Sequence, residues 1–91
     1  PIFKFTEAVS FMVYCETQEE IDRYWDRLSE GGSDLQCGWL KDKFGLSWQI
    51  VPTILVQLMT GDGEKAGRVM QALLTMKKLD IARLKQASES A

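Results

Sequence analysis

The spacing of hydrophobic and polar positions changes several times along the chain, and each change marks an element. "AVSFMVYCE", residues 8–16, alternates through β-branched and aromatic residues and predicts a strand. A period of two puts Val9, Phe11, Val13 and Cys15 on one fully apolar face, suited to packing against helices. Ser10, Met12 and Tyr14 fall on the other face, which mixes polar and apolar groups as a cavity lining does. In "TQEEIDRYWDRLSEGG" the period turns helical, with Ile21, Tyr24, Trp25 and Leu28 forming one apolar stripe. Thr17 and Glu20 make a capping box at its start, and Gly31 with Gly32 supply a left-handed stop, so a helix over 18–30 is expected.

A polar lead-in, "SDLQ", runs into a strand expected over 35–42, centred on "CGWLKD". A turn at "KDKFG" leads to a strand over 46–52, "LSWQIVP", and so short a turn makes the two an antiparallel hairpin. Leu46, Trp48 and Ile50 share one face of the last strand; Ser47, Gln49 and Val51 share the other. Pro52 has no N–H for a ladder and closes the strand. Thr53 is expected to cap a helix over 54–59, and "TGDG" is a break. "EKAGRVMQALLTMKK" predicts an amphipathic helix over 63–78, with Ala66, Val69, Met70, Leu73 and Met76 or Lys77 in its stripe. Lys77 and Lys78 would suit the negative pole at its end. Asp80 then caps a helix over 81–87 that frays into a polar tail. This order predicts one α+β domain of βαββ(β) type with C-terminal helices. The helix at 18–30 covers one sheet face, and the face carrying Ser10, Tyr14, Ser47 and Gln49 is left uncovered.

Ninety-one residues suffice for one small domain. A net charge of −2 gives no electrostatic case for nucleic acid or an anionic membrane as partner. No apolar run reaches the ~20 residues of a membrane helix. "PIFKF" is too short for a secretory leader and is followed by Glu7, so a cytoplasmic location is expected. The start at Pro1, without Met, is read as a processed or trimmed piece. Cys15 and Cys37 are expected as reduced, buried thiols, because their spacing fits no zinc pattern. The chain has no histidine, which removes the usual general base and the commonest metal ligand.

"GWLKDKFGLSWQIVP" and "RVMQALLTMKKLDIARL", with "AVSFMVYCET", resemble the PhnB-like branch of the vicinal oxygen chelate (glyoxalase/bleomycin resistance/dioxygenase) superfamily. That branch is often labelled 3-demethylubiquinone-9 3-methyltransferase. The resemblance is to the C-terminal half of the family's domain. A full domain has two βαβββ modules that form a cup; here the first is absent and the second has only "SDLQ" for its second strand. In metal-using members each module offers a ligand from its first strand and a carboxylate from its last. "DKFGLSWQI" lines up with the superfamily's "DPxGxxxEx" pattern, which puts Gln49 where the carboxylate would be and Ser10 where the first-strand ligand would be. A neutral amide and a hydroxyl bind divalent cations far more weakly than Glu and His, so neither a metal nor another cofactor is expected. The methyltransferase label is read as inherited, because the turn "CETQEE" has three acids and no glycine, unlike the Gly-rich turn of nucleotide-type cofactor sites.

The resemblance implies a small-molecule-binding module, with Ser10, Met12, Tyr14, Trp39, Ser47, Gln49 and Val51 as the cup-facing candidates. It identifies no catalytic residue. An exposed cup face implies a homodimer, by isologous pairing or segment exchange, in which a second copy stands in for the missing module. Trp25 and Trp48 are expected in the core, and Lys41 and Asp42 as solvated turn residues. Two alternatives stand beside this reading. One is a metal-dependent lyase, isomerase or dioxygenase of the superfamily; the other is a fragment of a longer two-module protein.

Overall fold

A computed structural model describes residues 9–89. Ala8, where the first strand is expected to begin, and Ser90 and Ala91 of the expected polar tail lie outside the described residues. Eight elements follow in order: β1 (Ser10–Cys15), α1 (Gln18–Ser29), β2 (Ser33–Asp34), β3 (Trp39–Lys41), β4 (Ser47–Pro52), α2 (Ile54–Met59), α3 (Gly63–Leu74) and α4 (Ile81–Glu89). The strands form one sheet in the order β1-β4-β3-β2. β1 runs parallel to β4, while β3 is antiparallel to both β4 and β2. The fold is therefore mixed α+β.

α1 begins at the capping box: Glu20 N–H donates to the Thr17 hydroxyl, and Thr17 N–H donates to the Glu20 carboxylate. Its stripe lands on the sheet face of Cys15, Leu40 and Ile50, where Ile21 and Trp25 are buried and Leu28 and Trp48 are partly so. Tyr24 is turned outward instead, with the Arg23 guanidinium over its ring. The expected apolar face of β1 is only half covered, because Cys15 is buried while Val9 and Phe11 are exposed. Past the helix end Gly31 takes a left-handed φ of 75° but Gly32 does not. Gly32 is needed for close approach, since a Cβ there would strike the Lys41 carbonyl.

The strand expected over 35–42 is interrupted. Leu35 N–H donates to Trp39 O and Trp39 N–H to Gln36 O, so residues 35–38 form a tight turn between β2 and β3. Cys37 and Gly38 both have positive φ there. Asp42 is not a solvated turn residue. Its carboxylate accepts from Phe44 N–H (2.9 Å), Leu46 N–H (3.0 Å) and the Trp48 indole N–H (3.0 Å), and so organises the β3–β4 turn. Lys41 is half-buried in β3.

Desolvation pushes the Asp42 carboxyl up, but the bonds from Trp48 and from the backbone of Leu46, Phe44 and Gly45 outweigh it and hold the group below the ordinary carboxylate range. A lowered folded value stabilises the protein above the unfolded value of about 3.9, and that stabilisation is lost as pH falls through the folded value. Asp42→Ala is expected to cost about 1–2 kcal/mol near neutral pH. Urea melts from pH 7 down to about 2.5 check this: the loss relative to wild type should shrink as pH falls below about 3.9. A constant difference at every pH would remove the carboxylate from the turn's stability.

The C-terminal helices build a second core from Leu58, Val69, Met76, Leu79 and Leu84. α3 stops at Leu74 and not at 78, because the carbonyls of Met76 and Lys77 accept from Cys37 N–H and Gly38 N–H, both at 2.8 Å. Lys78 pairs with Asp22 at 3.1 Å. Gln18 ties the two halves together, donating to Leu79 O and accepting from Ile81 N–H. Hydrogen bonding by Gln18, then by Lys78, lowers the Asp22 carboxyl. Thr53 makes no side-chain cap for α2; its N–H donates to Cys15 O instead. Asp80 does cap α4, through Arg83 N–H. α4 continues to Glu89 because Arg68 donates to the carbonyls of Ala87 and Ser88. No helix among the described residues is long and apolar enough to cross a membrane.

Candidate functional site

The strand register decides which side chains meet. Ser10, Met12 and Tyr14 of β1 pair with Ser47, Gln49 and Val51 of β4, and Trp39 of β3 pairs with Gln49. All seven cup-facing candidates therefore lie on the sheet face remote from α1. Gln49 Nε2 donates to Ser10 Oγ at 3.0 Å, which joins the two strands by their side chains. The glutamine sits in an otherwise core-like strand because the helix packs on the opposite face.

That face is not left uncovered. α2 and α3 border part of it and form with it an open cavity of about 470 Å³. Met12, Tyr14, Trp39, Gln49 and Val51 line the sheet side, with Cys37 from the β2–β3 turn. Leu55, Val56, Met59 and Thr60 from α2 and its end, with Leu73 of α3, line the helix side. Met12, Tyr14 and Val56 are exposed and mark the mouth. Two candidates fall outside the lining. Ser10 reaches it only through its bond to Gln49. Ser47 is fully buried, and its hydroxyl has no partner among the described residues.

The helix-side residues escaped the sequence reading. The signal available was α2 itself: "ILVQLM" is apolar on more than one side, yet one helix can bury only one stripe in the C-terminal core. Cys37 also differs from the expectation of two buried thiols, being half-buried and part of the cavity wall. Cys15 is buried; desolvation pushes its thiol up, Glu20 adds to this and Arg23 opposes it. Trp25 is in the core as expected. Trp48 is only partly buried, bonded to Asp42 and tilted against Phe11 with ring centroids 5.2 Å apart.

No Asp, Glu, Lys or Arg among the described residues lines the cavity. The Ser10–Gln49 pair does not fit a divalent cation: both donors are neutral, and each is engaged with the other. No group of three His, Cys, Asp or Glu among the described residues stands close enough to hold a metal ion. The β1–α1 turn does not fit a nucleotide-type cofactor either. The Glu20 carboxylate takes the backbone N–H of both Glu16 and Thr17, the donors that such a ligand would need.

Residues 1–51 match a family model described as 3-demethylubiquinone-9 3-methyltransferase. A solved structure of a PhnB protein from Bacillus cereus is similar, with 41% identity and a TM-score of 0.53 over 56% of this chain and 47% of that one. The chain thus spans about half the length of that relative. No curated protein matches it. The family match ends inside β4, before either helix of the cavity wall.

Proposed function

Because the chain belongs to the 3-demethylubiquinone-9 3-methyltransferase (PhnB-like) family, we propose that it is a small-molecule-binding module of the vicinal oxygen chelate type. The observation that carries this is the cavity between the sheet and α2–α3. Its volume of about 470 Å³ is in the range of small-molecule sites, and such sites combine apolar walls with a few placed polar groups. Gln49, fixed by Ser10, is such a group. Binding fits this chain better than the methyl transfer in the family's description, because the β1–α1 turn spends its backbone donors on Glu20. The test is N-phenyl-1-naphthylamine, an uncharged dye that fluoresces in apolar surroundings. It is expected to bind with one site per chain, and Leu73→Trp, which puts a larger side chain into the lining, is expected to weaken binding several-fold. A dye signal undiminished in Leu73→Trp places binding elsewhere and removes the proposal.

The second module of the cup is supplied in this reading by another copy of the chain. β1 is an edge of the described sheet and exposes Phe11 on one face and Met12 and Tyr14 on the other. Burying such surface stabilises by roughly 25 cal/mol per Å² of apolar area. Sedimentation at tens of micromolar is expected to give twice the 10.3 kDa chain mass. A monomer at that concentration would end the dimer proposal and leave a half-open cavity.

A further inference from the structure

We propose that the cavity selects an uncharged, flat aromatic ligand with a single hydrogen-bonding head group seated on Gln49. This rests on the binding reading above and adds the class of ligand. The first support is electrostatic. No ionic side chain among the described residues lines the walls, so an ion entering them meets no opposite charge there to offset the hydration it loses. The second is the hydrogen-bond account at Gln49. One amide N–H goes to Ser10, which leaves the carbonyl oxygen and the second N–H without partners among the described residues. A hydroxyl both donates and accepts, so one hydroxyl meets both; a carboxylate only accepts and an ammonium only donates. The third is the character of the lining. The Trp39 and Tyr14 rings belong to the sheet side of the lining and Leu55 and Leu73 to the helix side, so a ring seated there meets aromatic and aliphatic groups. The helix side of the lining comes from residues beyond the family-matched 1–51.

The experiment uses three probes that share a ring: 2-naphthol, 2-naphthoate and 2-naphthylmethylammonium. Methionine methyl signals report the place of binding, since Met12 and Met59 line the cavity while Met70 and Met76 do not. With 2-naphthol the first two signals should move and the last two should stay. Its affinity should exceed that of either ion by about tenfold or more, and Gln49→Leu should lower it by about tenfold. An unshifted Met76 signal in the variant confirms that its core is intact. Equal or tighter binding of 2-naphthoate or the ammonium at Met12 and Met59 overturns the ligand class and spares the binding reading. So does undiminished 2-naphthol binding in Gln49→Leu. No movement of Met12 and Met59 with any probe at millimolar concentration overturns both.

Discussion

Truncating Trp25 to alanine is expected to remove about 4 kcal/mol of stability, the largest single effect in the molecule. The indole is 4% exposed and sits among Cys15, Ile21, Leu40 and Ile50, so its loss leaves a void between α1 and the centre of the sheet. Domains of this size hold only about 5–15 kcal/mol in total, so the variant should lose a large share of its stability and roughly 15–30 °C in Tm. Urea unfolding monitored by circular dichroism gives the number, with an unchanged slope marking a loss confined to the native packing. A loss under about 1 kcal/mol would mean that α1 does not rest on this face. That result would reach the site as well. Gln49 faces the cavity because the opposite side of β4, Ile50 included, is committed to α1.

Gly38→Ala is expected to cost about 2–3 kcal/mol, from a left-handed backbone and crowding together. Gly38 has φ +86°, which disfavours any side chain, and an added Cβ would lie 3.1 Å from both the Ile50 carbonyl oxygen and the Leu79 side chain. Neither can retreat easily. Gly38 O accepts from Ile50 N–H, and Gly38 N–H donates to Lys77 O, so the residue holds the sheet to the C-terminal core. The damage should appear at the junction: the Met76 methyl signal should shift, and dye binding should weaken as α3 moves from the sheet. Cys37→Gly is the matched control. Cys37 has φ 60°, so glycine relieves strain there while adding unfolded-chain entropy, and the net change should stay within about 0.5 kcal/mol. If Gly38→Ala is as mild as Cys37→Gly, the two halves are not joined at this turn.

The parts of the fold that were legible in the sequence are those whose cause is local. The α1 boundaries follow from the Thr17–Glu20 box and the Ile21–Trp25–Leu28 stripe, all within one helix. The face shared by Ser10 and Gln49 follows from a period of two in strands without glycine, where the one proline, Pro52, stands at the very end of β4. The break at 35–38 was less legible, because "LQCGW" carries one glycine, and a non-glycine residue, Cys37, takes half of the left-handed turn. The end of α3 was also hidden. "LTMKK" continues the helical pattern, but Thr75 and Met76 turn back to Ala72 and Leu73, and Met76 and Lys77 are taken up by Cys37 and Gly38. Asp42 read as a surface charge because its partners, the Trp48 indole above all, arrive only once the turn has closed.

The sequence by itself determined the α+β order, the capped helix and the side of the sheet on which Gln49 stands, because backbone periodicity and helix caps act between residues a few positions apart. The tertiary structure decided that this side has a second wall, that Ser10 serves Gln49 and does not line the hollow, and that Ser47 is shut away from it. The second wall depends on α2 and α3 bringing Leu55 and Leu73 to the same hollow as Met12 and Trp39. No local pattern encodes that arrangement; it arises where two cores, joined through Gln18 and Gly38, are held against each other.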